Sequence, residues 1–226
     1  MIIQGLQKLT VLDFPGQVAC IVFTAGCSFR CPFCHNATLV KGDGESISED
    51  EVLSYLKKRQ GILDGVVITG GEPTIQKDLK QFILKIKNLG YKVKLDTNGY
   101  HPEVLEDLLN EGLLDYVAMD IKNSKERYAV TVGLQNIDVL RIERSVELLK
   151  NCSIPYEFRV TTMQEFHSEK EFEAIAEWAK GAKKIFIQSF KDSGDILCGT
   201  FTPFDDAKIA DFKQILAKTV TDVESR

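Results

Sequence analysis

The chain has 226 residues, 44% of them hydrophobic and 27% charged, which is the composition of an ordinary soluble globular protein with one large core. Its 33 acidic residues outnumber its 28 lysines and arginines, and the net charge of -5 argues against nucleic acid as the main partner. No apolar run approaches membrane-spanning length, so no membrane partner is expected. Since no linker-like stretch divides the chain, we expect a single domain over residues 1–226, with residues 1–17 as a short N-terminal extension.

The first predicted strand covers residues 18–24 and leads into a loop that carries Cys27, Cys31 and Cys34. Soft thiolates at this spacing are typical of iron–sulfur or zinc sites, and a site completed by protein alone would carry four donors. A zinc site would need His35, which directly follows Cys34, as its fourth ligand. A cluster of four irons bound by these three thiolates would instead keep one iron open to a ligand that is not protein.

The other three cysteines, Cys20, Cys152 and Cys198, are scattered singly along the chain. Lone cysteines are most often small buried hydrophobic residues of a reducing compartment. The first residues, Met1 to Gly5, lack the basic segment and apolar core of a secretory signal. We therefore expect a cytoplasmic protein.

Five more apolar runs alternate with amphipathic patterns along the rest of the chain. Strands are predicted at 65–69, 91–96, 116–121, 156–161 and 184–188, and helices at 48–60, 76–89, 102–110, 139–150, 168–180 and 205–219. Ser48 and Glu51 form a capping-box pattern, and Gly90 fits a helix C-terminus. Six strand–helix units in a row predict an α/β fold with parallel strands. A partial, TIM-like (β/α)6 barrel and a doubly wound sheet share this local pattern.

Polar and glycine-rich residues lie where the predicted strands end. Gly70-Gly71-Glu72-Pro73 follows the second strand, Asp96-Thr97-Asn98-Gly99 ends the third, Asp120 and Lys122 end the fourth, and Arg159 lies in the fifth. Active sites of parallel α/β folds form at this rim. The placement favours the barrel and predicts that these side chains converge on one site.

The cysteine loop, with Phe33 before its last cysteine and Gly-Gly-Glu-Pro after the next strand, resembles the radical S-adenosylmethionine (SAM) superfamily. Cys34-His35-Asn36, Leu95 to Gly99 and Met119 to Lys122 resemble activating enzymes of glycyl radical enzymes, and the similarity runs from about Val18 to Arg159. The stretch from Gly5 to Cys27 looks most similar to activases of anaerobic ribonucleoside-triphosphate reductase. That reductase is the favoured partner, with pyruvate formate-lyase or another glycyl radical enzyme as the alternative.

The resemblance implies a 4Fe–4S cluster on Cys27, Cys31 and Cys34, with SAM bound to the open iron. In the family the reduced cluster cleaves SAM to methionine and a 5′-deoxyadenosyl radical, which removes hydrogen from a backbone glycine of the partner. A flavodoxin or ferredoxin is implied as the electron donor. Two other classes stay open: a radical SAM enzyme acting on a small molecule or peptide, and a zinc-binding interaction protein.

The resemblance also implies which residues surround the cofactors. Besides the three cysteines, the residues expected to bind them are Phe33, His35, Asn36, Gly70, Gly71, Glu72, Asp96, Asn98, Lys122, Arg159 and Phe190. The two glycines are expected to leave room for SAM, and the ring of Phe190 is expected to pack against adenine. Asp96, Thr97, Asp120 and the backbone carbonyl of Ala118 are expected to hold a monovalent cation, Na⁺ or K⁺.

Three polar residues receive a more ordinary interpretation. Lys122 is expected on the opposite strand face from Asp120, so a direct ion pair between them is not expected, and Lys122 remains available to SAM or to a substrate peptide. His101 and His167 each precede a predicted helix. Helix capping or surface exposure is expected for both histidines.

Overall fold

The computed structural model describes residues 1–192 and 194–226 and contains an eight-stranded sheet whose strand order follows the chain. The strands are β1 (Ile3–Thr10), β2 (Ala19–Thr24), β3 (Gly65–Gly70), β4 (Lys92–Thr97), β5 (Tyr116–Asp120), β6 (Tyr156–Thr162), β7 (Lys184–Ser189) and β8 (Asp222–Ser225). Strands β2 to β8 are parallel. A doubly wound sheet would reverse its strand order near the middle, so the sequential order confirms the partial barrel.

The segment predicted as an N-terminal extension is part of the sheet. β1 runs antiparallel to β2, with Ile3 opposite Thr24 and Thr10 opposite Ala19. Its alternation is interrupted by Gly5 and by register irregularities, which explains why periodicity alone does not reveal it. β8, which spans four residues, was likewise not predicted.

Six helices connect the parallel strands at the predicted places. They are α2 (Glu49–Lys57), α3 (Leu79–Asn88), α4 (Pro102–Asn110), α6 (Val139–Asn151), α7 (Glu169–Trp178) and α8 (Asp206–Leu216), joined by the short helices α1 (Ala37–Lys41) and α5 (Tyr128–Thr131) and a 3-10 turn at Pro73–Ile75. Ser48 accepts a hydrogen bond from the Glu51 N–H at 3.1 Å, as the capping pattern predicts. Within the described ranges, no helix combines the length and hydrophobicity needed to cross a lipid bilayer.

The apolar residues form two clusters that position the site. The larger cluster fills the layer between helices and sheet. A smaller one lies on the other side of the sheet, inside the barrel, and contains Phe14, Ala19, Ile21, Val67 and Tyr116. Since this inner cluster fills the interior near the strand starts, the polar residues lie above it, at the strand ends.

Candidate active site at the carboxyl end of the barrel strands

A cavity of about 400 Å³ opens above the inner cluster, within the size range of small-molecule sites. The residues predicted for the site that line it are Cys27, Cys31, Phe33, Cys34, His35, Asn36, Gly70, Gly71, Glu72, Asp96, Thr97, Asn98, Asp120, Lys122 and Arg159. Two predicted residues, Ala118 and Phe190, are not among the lining residues. The fold thus brings residues from β3, β4, β5 and β6, and from the cysteine loop, to one place.

The cysteine loop is held by hydrogen bonds from its own arginine and from two distant segments. Arg30 donates through Nη1 to the carbonyls of Cys27, at 2.6 Å, and Phe29, at 2.7 Å. The Arg30 N–H donates to the carbonyl of Val132 at 2.9 Å, and the Leu197 N–H donates to the carbonyl of Cys34 at 3.1 Å. These hydrogen bonds anchor the loop that presents the three thiols.

The three thiols are free and face the same cavity. Burial raises the pKa of Cys27 to about 11 and that of Cys31 to about 12, so these thiols keep their protons at neutral pH until a metal displaces them. A zinc ion needs four donors within roughly 2.3 Å of one point. Among residues 1–192 and 194–226, no three Cys, His, Asp or Glu side chains converge in that way. The three thiols line one cavity, and in a 4Fe–4S cluster each would bind a separate iron.

The two glycines of the turn after β3 are required by the packing of the protein itself. A Cβ on Gly70 would lie 2.3 Å from the backbone nitrogen of Thr24, and one on Gly71 would lie 1.9 Å from the carbonyl oxygen of Gly26. The Gly71 N–H donates to the Thr24 carbonyl at 2.9 Å, and the Glu72 N–H donates to the Gly26 carbonyl at 2.8 Å. Both glycines thus contact the backbone that leads into the cysteine loop, and both also line the cavity.

Glu72 is buried and connects two strand ends. Its carboxylate accepts hydrogen bonds from the Thr74 N–H at 3.1 Å, the Thr97 hydroxyl at 2.7 Å and the Asn98 N–H at 2.7 Å. Burial raises the pKa of Glu72, while these donors act to lower it. The side-chain amide of Asn98 in turn lies 3.8 Å from Cys27 Sγ and 3.2 Å from Ser28 Oγ. Glu72 therefore positions Asn98 beside the first cysteine.

An ion-pair network crosses the cavity wall from β4 to β6. Arg159 donates to Asp96 at 3.0 Å and to Asp120 at 2.9 Å. Lys94 Nζ lies 2.5 Å from Asp96 Oδ1, and Lys122 Nζ lies 3.0 Å from Asp120 Oδ2. The expectation that Asp120 and Lys122 do not pair was wrong. Side chains two residues apart in a strand point to the same face, not to opposite faces. In addition, β5 ends at Asp120, so the strand does not constrain the direction of Lys122.

Opposite charges keep both carboxylates of this network ionised. Burial acts to raise the pKa of Asp96 and of Asp120, but the Arg159 guanidinium, aided by the neighbouring lysine in each case, holds both below their usual range. Burial likewise acts to lower the pKa of Lys122, and Asp120 reverses that effect. Three cationic side chains thus surround two carboxylates, and the surplus positive charge suits a ligand carboxylate.

The residues expected to bind a monovalent cation have other partners in this structure. Both carboxylates are paired as described, and the Thr97 hydroxyl donates to Glu72 while accepting from the Gly99 N–H at 3.1 Å. Ala118 pairs with Asp96 in the sheet register. These residues do not fit a cation site, because protein cations already supply the charge that Na⁺ or K⁺ would bring.

Phe190 lies next to the cavity-lining His35 and is 4% exposed. Its ring centroid is 6.4 Å from that of His35, with an angle of 22° between the planes, and 5.6 Å from that of Phe201. Gln188 of β7 lines the cavity. The wall near the predicted adenine position is therefore formed by His35 and Gln188, with Phe190 packed alongside.

The sequence analysis did not identify Lys94, and it expected His167 to cap a helix or to lie at the surface. Lys94 could have been found from its spacing, since a residue two before Asp96 must share its strand face. His167 is buried and lies with Nε2 3.1 Å from the carbonyl oxygen of Lys122, so it is neither a cap nor exposed. His101 occupies the N-cap position of α4 without a capping hydrogen bond from its side chain.

Comparisons with known proteins agree with this site. Residues 21–179 match the sequence model of the radical SAM superfamily. The chain is 32% identical over 200 residues to a protein of Methanocaldococcus jannaschii whose name assigns it as a glycyl-radical enzyme activating enzyme, over 86% of this chain and 82% of that protein. The pyruvate formate-lyase-activating enzyme of Clostridium pasteurianum is 32% identical over 127 residues, which are 54% of this chain and 52% of that enzyme. SuiB of Streptococcus suis, solved with its precursor peptide SuiA, superposes with a TM-score of 0.69 at 13% identity, over 90% of this chain and 47% of SuiB.

The chain therefore belongs to the radical SAM superfamily, as the cysteine loop predicted. Its relatives by sequence include glycyl-radical enzyme activating enzymes. Membership implies a 4Fe–4S cluster and SAM, and a structure of SuiB bound to S-adenosylmethionine shares the fold. The chain spans about half the length of SuiB and of the clostridial enzyme.

Proposed function

We propose that this protein is an oxidoreductase of the activase type, which uses SAM to install a glycyl radical on a partner enzyme. Anaerobic ribonucleoside-triphosphate reductase is the favoured partner, and pyruvate formate-lyase is the alternative. The observation that carries the proposal is the meeting of three thiols and the Arg159 ion-pair network in one cavity. Relatives named as activating enzymes support it.

The cofactors would bind at opposite sides of this cavity. Cys27, Cys31 and Cys34 would hold the cluster, which, when bound, supplies the electron that cleaves SAM to methionine and a 5′-deoxyadenosyl radical. Lys122 and Arg159 would bind the carboxylate of SAM, since they carry the surplus positive charge.

The remaining residues would orient these groups and shield them. Glu72 fixes Asn98, whose amide would donate to the sulfur of Cys27. The inner apolar cluster below the cavity excludes water from the barrel interior, which protects a reactive radical from side reactions. A flavodoxin or ferredoxin would supply the electron, and we place the reaction in the cytoplasm.

The proposal is tested by anaerobic incubation of the reconstituted protein with SAM, a reductant and each candidate partner. Each partner is used both unlabelled and labelled with deuterium at its glycine α-carbons. We expect an electron paramagnetic resonance doublet on one partner when it is unlabelled, collapse of that doublet when the same partner carries the label, and deuterium in the 5′-deoxyadenosine formed with the labelled partner. SAM cleavage with unlabelled 5′-deoxyadenosine and no doublet on either candidate would refute the assignment of these partners.

A further inference from the structure

A buried lysine lies beside Asp96, where the family resemblance led us to expect a soluble cation. Lys94 is 2% exposed and shares the inner face of β4 with Asp96. Its Nζ is 2.5 Å from Asp96 Oδ1 and 5.9 Å from the centroid of the Tyr116 ring. Tyr116 in turn donates to Glu157 at 2.8 Å. Lys94 thus contacts a carboxylate that lines the cavity.

Each carboxylate oxygen of Asp96 accepts a hydrogen bond from a cationic side chain of the protein. Oδ1 accepts from Lys94, and Oδ2 accepts from Arg159 at 3.0 Å. The neighbouring charged groups also form ion pairs. Arg159 donates to Asp120 as well as to Asp96, and Glu157 pairs with Arg226 at 2.9 Å. A Na⁺ or K⁺ ion at Asp96 would lie close to two buried cations and would compete with them for the same carboxylate oxygens, which would weaken buried ion pairs.

A covalently attached ammonium differs from a soluble ion in one measurable way. A soluble cation must be bound from solution, so its contribution depends on which salt is present and at what concentration. The ammonium of Lys94 is present in every molecule. Burying it is tolerable because the ion pair with Asp96 and the Tyr116 ring compensate for lost hydration.

We propose that Lys94 is a built-in cation, a positioning residue that neutralises and orients Asp96 and so makes SAM binding independent of Na⁺ and K⁺. This inference rests on the proposed use of SAM at this cavity. The family resemblance implied a soluble monovalent cation at Asp96. In this chain the side chain of Lys94 contacts Asp96 instead.

The first test uses the intact, anaerobically reconstituted protein and measures SAM binding by equilibrium dialysis in sodium, potassium or choline chloride at equal ionic strength. We expect dissociation constants that agree within about twofold, since twofold corresponds to only about 0.4 kcal/mol. Binding about tenfold tighter in sodium or potassium than in choline would overturn the inference. Absence of SAM binding in every salt would instead contradict the proposed function.

The second test compares Lys94→Met with Lys92→Met, a control on the same strand whose exposed ammonium donates to the Gln17 side chain at 3.0 Å. Lys94→Met should weaken SAM binding by about tenfold in choline, with partial recovery in sodium or potassium, and Lys92→Met should match wild type. Wild-type affinity of Lys94→Met in choline would overturn the inference. If Lys94→Met does not fold, the comparison of salts with the wild type still decides.

Discussion

The backbone N–H of Asn98 donates to the buried carboxylate of Glu72 at 2.7 Å, so the turn after β4 is joined to the turn after β3. The first of these turns carries the amide that reaches Cys27, and the second contacts the backbone of Gly26 just before that cysteine. Glu72 therefore stabilises the cysteine loop in two ways, through Asn98 beside Cys27 and through its own N–H on the Gly26 carbonyl; we call this its bracing role. Its role is positioning, because its carboxylate accepts hydrogen bonds from Thr74, Thr97 and Asn98.

Replacing Glu72 with glutamine should expose this role. The new amide would direct a donor at another donor, either the Asn98 N–H or the Thr97 hydroxyl. We expect the free energy of unfolding of the metal-free protein to fall by about 1–3 kcal/mol, measured by urea denaturation. Glu45→Gln, at an exposed position, should stay within about 0.5 kcal/mol of wild type. Equal stability of the two variants would contradict the bracing role.

Strand ends could be predicted from the sequence, but the pairs formed between them could not. Asp96, Asp120 and Arg159 were expected at one rim because parallel strands align their carboxyl ends. That Arg159 bridges the two aspartates depends on register, which places Asp120 opposite Arg159 on β5 and β6. Local patterns carry no information about register between distant strands.

The glycine turn shows the same limit. Gly70 and Gly71 were recognised as a functional motif, but their neighbours Thr24 and Gly26 lie some 45 residues earlier in the chain. Close approach of two backbones is a property of tertiary structure, and a sequence reveals only that a side chain is missing. The contact between this motif and the backbone of Thr24 and Gly26 could therefore not be predicted from the sequence.

Gly71→Ala should damage the fold and the cysteine loop together. Its Cβ would lie 1.9 Å from the Gly26 carbonyl oxygen, a backbone atom that cannot rotate away. We expect the free energy of unfolding to fall by about 3 kcal/mol or more, with reduced iron content after reconstitution. Gly44→Ala, whose Cβ would meet only side-chain atoms at 3.4 Å or beyond, should lose less than about 1 kcal/mol. Wild-type stability and iron content in Gly71→Ala would show that the backbones at Gly71 and Gly26 can move apart without loss of stability, and would contradict this prediction.

Serine at any of Cys27, Cys31 or Cys34 should abolish SAM cleavage. A hydroxyl is a poor substitute for a soft thiolate ligand, so each variant should also lose most of its iron, measured by colorimetric analysis and visible absorption. Cys198→Ser is the matched control because Cys198 is exposed and is not among the cavity-lining residues. Full SAM cleavage by any of the three variants would remove that cysteine from the ligand set.

Arg159→Met should be far more costly than loss of a surface arginine. Arg159 bridges two buried carboxylates, and its removal leaves each with a single lysine partner. Breaking a buried pair typically costs about 3–5 kcal/mol, so we expect a loss of that size in the free energy of unfolding. Arg144→Met removes a solvent-exposed pair with Glu106 and should cost at most about 1 kcal/mol. Similar losses for the two variants would place Arg159 outside any strongly coupled network.

His167 should make stability depend on pH below neutrality. Burial lowers the pKa of His167 to about 4 from its ordinary value of 6.5, although its bonds to Lys122 and Met163 and the charge of Glu171 act to raise it. Between these two values the unfolded chain binds more protons than the folded one, so the contribution is complete above pH 6.5 and declines as pH falls toward 4.

The variant His167→Gln removes this titration while keeping a side chain that can donate to the Lys122 carbonyl. The free energy of unfolding of wild type relative to His167→Gln should therefore fall by about 2 kcal/mol between pH 7 and pH 5, measured by urea denaturation of the metal-free proteins. The charge of Arg127 acts in the same direction as burial and is present in both proteins. A difference that stays constant over this pH range would mean that burial does not lower the pKa of His167 in the folded protein, and would contradict the prediction.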